Sequence, residues 1–334
     1  MPRSTGPLTR YAGFAAVVAA SGIPLYIHLP AFLASRYGIT LETLGGLLLA
    51  LRLVDFAQDP GLGWLLSRLG RFRDAAVLAA GALLGSGMVG LFAVSAPVAP
   101  LIRVVGCLVL TFSGFSMLST LLYSDGMQRG AAAGAEGGPR WGRGGAEVGH
   151  VRVATWREAG ALIGITAACL LPFALPGDGY RSFALVFAVA LVLAIGGMRG
   201  RWMTISRRAA PLTALLGDPV VRRFLLLAFL NAAPVAVTST LFVFFVEARL
   251  ELASQTGVFL VLFFAAAAAS TPGWRRLAVR FEPRRALALD MSLAIASFIW
   301  AFTLCPGDGA AFALICLASG AALGADMLLL PAMF

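Results

Sequence analysis

Residues 41–73 read LETLGGLLLALRLVDFAQDPGLGWLLSRLGRFR. The run up to Trp64 is long and apolar enough to cross a bilayer as a helix, and lipid leaves the backbone no partner but itself. Inside it stand Arg52, Asp55 and Asp59. At positions i, i+3 and i+7 they fall within about 60° of one another on a helix. A charge near the bilayer centre costs at least about 2.5–3.5 kcal/mol, so the three must face a protein interior or a wet cavity. Arg68, Arg71 and Arg73 follow at once, which marks that end of the span as cytoplasmic.

The rest of the chain repeats this pattern. Of 334 residues, 59% are hydrophobic and 13% are charged, about half the charged share of a soluble domain. This excludes an ordinary soluble enzyme, a disordered chain and a secreted disulfide scaffold. Ten apolar segments are read as spans, at about 11–34, 41–66, 75–95, 101–124, 153–175, 180–198, 220–246, 255–272, 285–304 and 310–334. The run from Tyr11 is long enough to span and is not a cleaved leader. All 26 basic residues are arginine, against 16 acidic ones. They cluster in the N-terminus and the even-numbered loops, as in Arg199–Arg223 and Arg275–Arg285. The charge is therefore topological, with no nucleic acid partner expected. The N-terminus is predicted cytoplasmic, in a bacterial inner membrane. The expected partners are membrane lipid and a small polar solute, with the chain a monomer.

The spans divide into halves. Leu66-Ser-Arg-Leu-Gly-Arg-Phe-Arg73 after span two is echoed by Ala278-Val-Arg-Phe-Glu-Pro-Arg-Arg285 after span eight, six spans on. A parallel repeat of six-helix halves is the organisation of the major facilitator fold. The fold class is therefore an all-α polytopic membrane protein of that kind, with about ten spans and a C-terminal half that reads as truncated. Residues 1–198 are predicted as the first bundle, 199–219 as a cytoplasmic linker, and 220–334 as a second bundle of four spans. The Gly- and Arg-rich stretch 128–150 reads as a flexible connector. The four cysteines read as buried free thiols.

Within span two, Asp55 and Asp59 lie one turn apart and repel unless a cation or proton sits between them. Oxygen ligands suit a hard cation such as Na⁺, and a shared proton would serve equally. Arg52 is a candidate for solute binding or gating, or else a structural partner for Asp55. Pro60 permits a kink, and Gly61 and Gly63 would let another helix approach closely. In span five, Arg157 is placed to reach a solute or an acid of span two. Glu158, about 100° round the helix, is expected to face other helices or the inner gate. Asp326, alone in span ten, is a candidate for coupling or gating. Asp125, Asp290 and Arg103 read as interfacial charges, and His28 as a hydrogen-bonded packing residue. No Ser-His-Asp set, zinc spacing or Walker sequence appears, so no enzyme chemistry and no cofactor beyond a coupling ion is expected.

Leu53-Val-Asp-Phe-Ala-Gln-Asp-Pro-Gly-Leu-Gly-Trp64 and its basic loop resemble the second helix of the glycoside–pentoside–hexuronide:cation symporters, the melibiose-permease branch of the major facilitator superfamily. Thr155-Trp-Arg-Glu158 and Gly324-Ala-Asp326 to Pro331 add weaker matches, and the resemblance runs along the whole chain. It implies cation-coupled transport of a sugar-like solute by alternating access. It also implies Na⁺ or H⁺ at Asp55 and Asp59, and Arg157 at the solute site. Span one has no acidic residue and span four has Asp125 only at its inner end, so the family's sugar-binding aspartates have no counterparts here.

Overall fold

The structure is a computed structural model. It describes residues 8–22, 61–66, 72–94, 100–136, 144–175, 179–203, 217–219, 245–281 and 283–333, with single positions at 24, 25, 29, 32, 33, 43, 46, 58, 68, 222, 223, 226 and 242. Arg52, Asp55, Asp59, Pro60 and His28 lie outside the described residues, as does most of spans two and seven and of the linker.

Among the described residues the chain is helical and contains no strand. Its helices are α1 (Leu8–Ala20), α2 (Arg73–Phe92), α3 (Pro100–Glu136), α4 (Gly144–Ala174), α5 (Gly179–Met198), α6 (Thr256–Phe281), α7 (Pro283–Ala301) and α8 (Gly309–Met333). A π-helical turn, Phe245–Arg249, and a 3₁₀ turn, Ala253–Gln255, precede α6. Five described segments are long and apolar enough to cross a membrane: Arg73–Phe92, Leu101–Ala133, Gly179–Met198, Ala253–Trp274 and Gly309–Met327. Their outward faces carry Ile102, Val189, Val192 and Leu193, each more than 60% exposed. Water would not tolerate so much contiguous apolar surface, whereas lipid tails match it.

Two cores form. In the first, α1 packs on α4 and α5, and α2 on α3 and α5; Tyr11, Phe14, Leu84, Met88, Leu108, Leu118 and Phe183 fill it. In the second, α6 packs on α8, with Val246, Phe259, Phe312 and Cys316 at its centre. Helix α4 also meets α6 and α8, so it joins the two groups.

Small residues set the closest approaches, as expected where the surrounding lipid is as apolar as the side chains. A methyl group at Gly160 or Gly164 of α4 would overlap the backbone of Ala12 or Ala16 of α1. A methyl at Gly320 or Gly324 of α8 would overlap Phe263 or Ala267 of α6. Each half thus brings two helices together over a pair of glycines four residues apart. Gly61 and Gly63 do not serve this way: among the described residues nothing lies within 4 Å of where their Cβ atoms would stand.

The connector 128–150 differs from its sequence reading. Helix α3 continues to Glu136 and α4 begins at Gly144. Gly130 lies directly against His150, so packing between the two extensions overrides the low helix propensity of glycine. Cys305 is exposed, while Cys169 and Cys316 are buried as expected.

Candidate functional site

Residues 111–127 of α3 read TFSGFSMLSTLLYSDGM. Phe112, Leu118, Leu121 and Leu122 turn into the first core. Ser113, Ser116, Thr120 and Tyr123 recur at three- and four-residue steps, which places them together along one side of the helix. With Phe115, Ser119, Ser124 and Met127, the last three of these line an open groove of about 360 Å³. A stripe of hydroxyls on a membrane helix offers donors and acceptors together, the equipment needed for a polyhydroxylated or otherwise polar molecule.

Arg157 of α4 closes one end of this stripe. Its guanidinium carbon lies 4.1 Å from the centroid of the Tyr123 ring. Arg157 Nε donates to Glu158 Oε1 at 2.8 Å, and Nη2 lies 2.6 Å from the same oxygen. Arg157 is 8% exposed and Glu158 4%. Glu158 is thus enclosed among the helices, as expected, and it also meets Arg157. Although adjacent in sequence, the two side chains bend towards each other, because a buried cation and a buried carboxylate are each costly alone. The pair fixes the guanidinium plane over Tyr123, where cation–π attraction adds to the ion pair.

Below the stripe lies a second polar cluster. Asp125 is fully buried and accepts from Arg129 Nε at 2.5 Å. Its other oxygen accepts from the backbone N–H of Met203 at 2.7 Å. Arg73 Nη1 donates to the Met203 carbonyl at 2.8 Å, and Nη2 donates to Leu121 O and Ser124 Oγ. Arg129 Nη2 donates to Arg201 O at 2.7 Å. Trp202 packs edge-on to Phe14, with ring centroids 5.1 Å apart. Asp74 takes the Gly200 N–H at 3.1 Å. The segment 200–203 is thereby clamped to the start of α2 and to residues 121–129 of α3. Asp125 is an interior acid saturated with donors, and its reading as an interfacial charge is corrected. Arg103, in the first turn of α3, donates to Val94 O.

Span two touches the stripe at one described point: Ser113 Oγ donates to Gln58 Oε1 at 3.1 Å. Gln58 stands between Asp55 and Asp59 in sequence. Asp326 lies on α8, remote in sequence from this site, with its carboxyl in hydrogen-bonding reach of Asp290 of α7. Asp290 is 1% exposed, so it too is interior rather than interfacial. Sequence reading passed over the hydroxyl stripe and Trp202, and took Arg73 only as a charge marking a loop. The stripe was detectable: Ser113, Ser116, Thr120 and Tyr123 share a helical face in a segment otherwise apolar. The clamp was not, since it uses backbone groups of residues 200–203.

A family profile described as MFS/sugar transport protein matches residues 10–334. Among solved structures, the chain is similar to the crystal structure of a bacterial homologue of the iron transporter ferroportin in an outward-facing state. The TM-score is 0.66 at 15% identity, over 98% of this chain and 84% of the other. At that identity the likeness shows the fold. Curated protein sequences gave no match.

Proposed function

This chain belongs to the MFS/sugar transport protein family, and on that premise we propose that it couples the movement of a small polar solute to that of Na⁺ or H⁺. The protein is an integral membrane secondary transporter of the major facilitator fold. The finer reading places the solute along the α3 stripe and the coupling ion at Asp55 and Asp59. The two halves, 1–198 and 220–334 about the linker 199–219, alternate access around the solute.

The observation that carries the proposal is the groove lined by Ser116, Ser119, Thr120 and Tyr123, with Arg157 seated on Tyr123. Hydroxyls exchange hydrogen bonds readily with a polyhydroxylated solute. The Arg157 fork adds donors of fixed geometry. Gln58 brings span two to the same helix face, which supports a short path between ion and solute. By linkage, an ion that favours the solute-binding conformation is itself bound more tightly when solute is present. The orientation proposed is cytoplasmic for the N-terminus and the linker, in a bacterial inner membrane, with the chain acting as a monomer.

The test is solute-induced ion flux in proteoliposomes carrying the protein. A panel of sugars, glycosides and small organic acids is added in turn while internal pH and Na⁺ are followed. At least one solute should drive ion entry, and Ser116→Leu or Thr120→Leu, which fill the groove with apolar bulk, should remove the response. A response that survives both substitutions would place the solute elsewhere. Ion movement opposite to the solute would identify a proton-driven efflux carrier.

A further inference from the structure

Arg73, the first residue of α2, is 5% exposed. Its Nη1 and Nη2 donate to Met203 O, Leu121 O and Ser124 Oγ. All three acceptors are neutral. Its Nε–H has no acceptor among the described residues. Trp202 is 8% exposed, and its indole Nε1–H has no acceptor there either. The guanidinium carbon of Arg73 lies 5.5 Å from the centroid of the Trp202 ring. One acceptor atom takes hydrogen bonds from two N–H groups whose nitrogens stand as much as about 6 Å apart.

The start of α2 adds donors at the same place. Phe72 holds its N-cap position, and no side chain caps the helix. First-turn N–H groups carry partial positive charge and bind acceptors or anions. Asp74, in that turn, is directed to the Gly200 N–H at the surface.

Charge decides between water and an anion as the shared acceptor. Among the described residues, the interior charges at this cluster are Arg73, Arg129 and Asp125. Asp125 already accepts from Arg129 Nε and from the Met203 N–H. Arg157 and Glu158, farther up the stripe, neutralise each other. The neighbouring sequence, 67–71 and 204–216, contains arginines and no acid. One buried positive charge is therefore in excess. Water would satisfy the two N–H groups and leave that charge unpaired, which is costly in an interior. Arg199 and Arg201 stand exposed beside the cluster and favour the approach of an anion.

We propose that Arg73 and Trp202 hold a small inorganic anion of the chloride class between the start of α2 and the start of the linker. The anion accepts from Arg73 Nε and Trp202 Nε1 and neutralises the excess charge. The burial of both side chains suits a small ion rather than a lipid headgroup. The site is separate from the solute groove and from Asp55 and Asp59. Because its two donors belong to α2 and to the segment 200–203, the anion completes the clamp, and its binding is linked to how firmly the linker is held to the first half.

The test is thermal unfolding of the purified full-length chain in detergent, with sodium chloride replaced stepwise by sodium gluconate at constant sodium. No solute or transport enters the measurement, so its failure leaves the proposed function standing. The unfolding temperature should rise by roughly 2–5 °C for each tenfold increase in chloride beyond half-saturation. Trp202→Phe keeps an aromatic ring against Phe14 and removes one donor, and it should lose most of that rise. A second measurement needs no variant: in crystals grown in sodium bromide, anomalous scattering should place bromide within about 3.5 Å of both nitrogens. An unfolding temperature indifferent to chloride would mean that water fills the site. An equal rise in Trp202→Phe, or bromide bound elsewhere only, would mean that the anion acts at another place. Each of these results overturns the proposal.

Discussion

Spans four and ten occupy equivalent places in a six-span repeat, and each carries an acid in the C-terminal half of its helix. Their surroundings differ. In the first half, Asp125 accepts from Arg129 and from the Met203 N–H, while Arg73 holds the other side of the same Met203 residue. In the second half, Asp326 meets another acid, Asp290. Helix α2 supplies an arginine where α7 supplies an aspartate. The first arrangement ties down the start of the linker through backbone groups of Met203. The second involves no such backbone clamp among the described residues. The comparison teaches that one fold can use equivalent helices for a fixed clamp in one half and for a different polar contact in the other.

The clamp is the costlier one to break. Asp125→Ala strands the buried Arg129 guanidinium and frees the Met203 N–H. Losing one member of a buried pair costs about 3–5 kcal/mol, so thermal unfolding in detergent should fall by many degrees. Asp290→Asn keeps a hydrogen bond to Asp326 and should change stability by less than about 1 kcal/mol. Equal losses in the two variants would erase the contrast between the halves.

Next come the glycine contacts, where the halves are alike. Gly164→Leu forces α1 from α4, and Gly320→Leu forces α6 from α8. Overpacking of this kind costs about 1–3 kcal/mol, measurable as a lower unfolding temperature in both variants. A change confined to one half would show that the other half adapts by sliding its helices.

The smallest effect is expected at the groove. Arg157→Lys keeps a positive charge for Glu158 but loses the flat guanidinium stacked on Tyr123. A cation–π contact is worth about 0.5–2 kcal/mol, so solute affinity should fall by roughly 2- to 30-fold with folding intact. Calorimetric titration with the solute found by ion flux reads this directly. Unchanged affinity would leave Arg157 as a structural partner of Glu158 alone.

The sequence made the architecture legible because lipid imposes a simple code: long apolar runs for spans and arginine-rich loops for one side. Helix ends were less legible. Helix α3 outruns its apolar segment by about three turns, because Gly130 packs on His150 and hydropathy carries no trace of that contact. For the same reason Asp125 and Asp290 read as interfacial: nearness to a span's end says nothing of which neighbour covers it. Arg157 stood out as a charge within an apolar segment, but its partner Glu158 was hidden, since ideal helix geometry sets adjacent residues 100° apart and side-chain flexure overcomes that. The hydroxyl stripe was visible in the spacing of Ser113, Ser116, Thr120 and Tyr123, once a helix face rather than a charge was sought.

The central claim is ion-coupled transport through Asp55 and Asp59. Its most direct test is ion flux in proteoliposomes on addition of the solute, compared between the wild type, Asp55→Asn and Asp59→Asn. Each substitution removes a charge and leaves the side chain's size unchanged. The account predicts solute-driven Na⁺ or H⁺ entry in the wild type and none in either variant, with solute binding retained. Ion entry in both variants at the wild-type rate would contradict it.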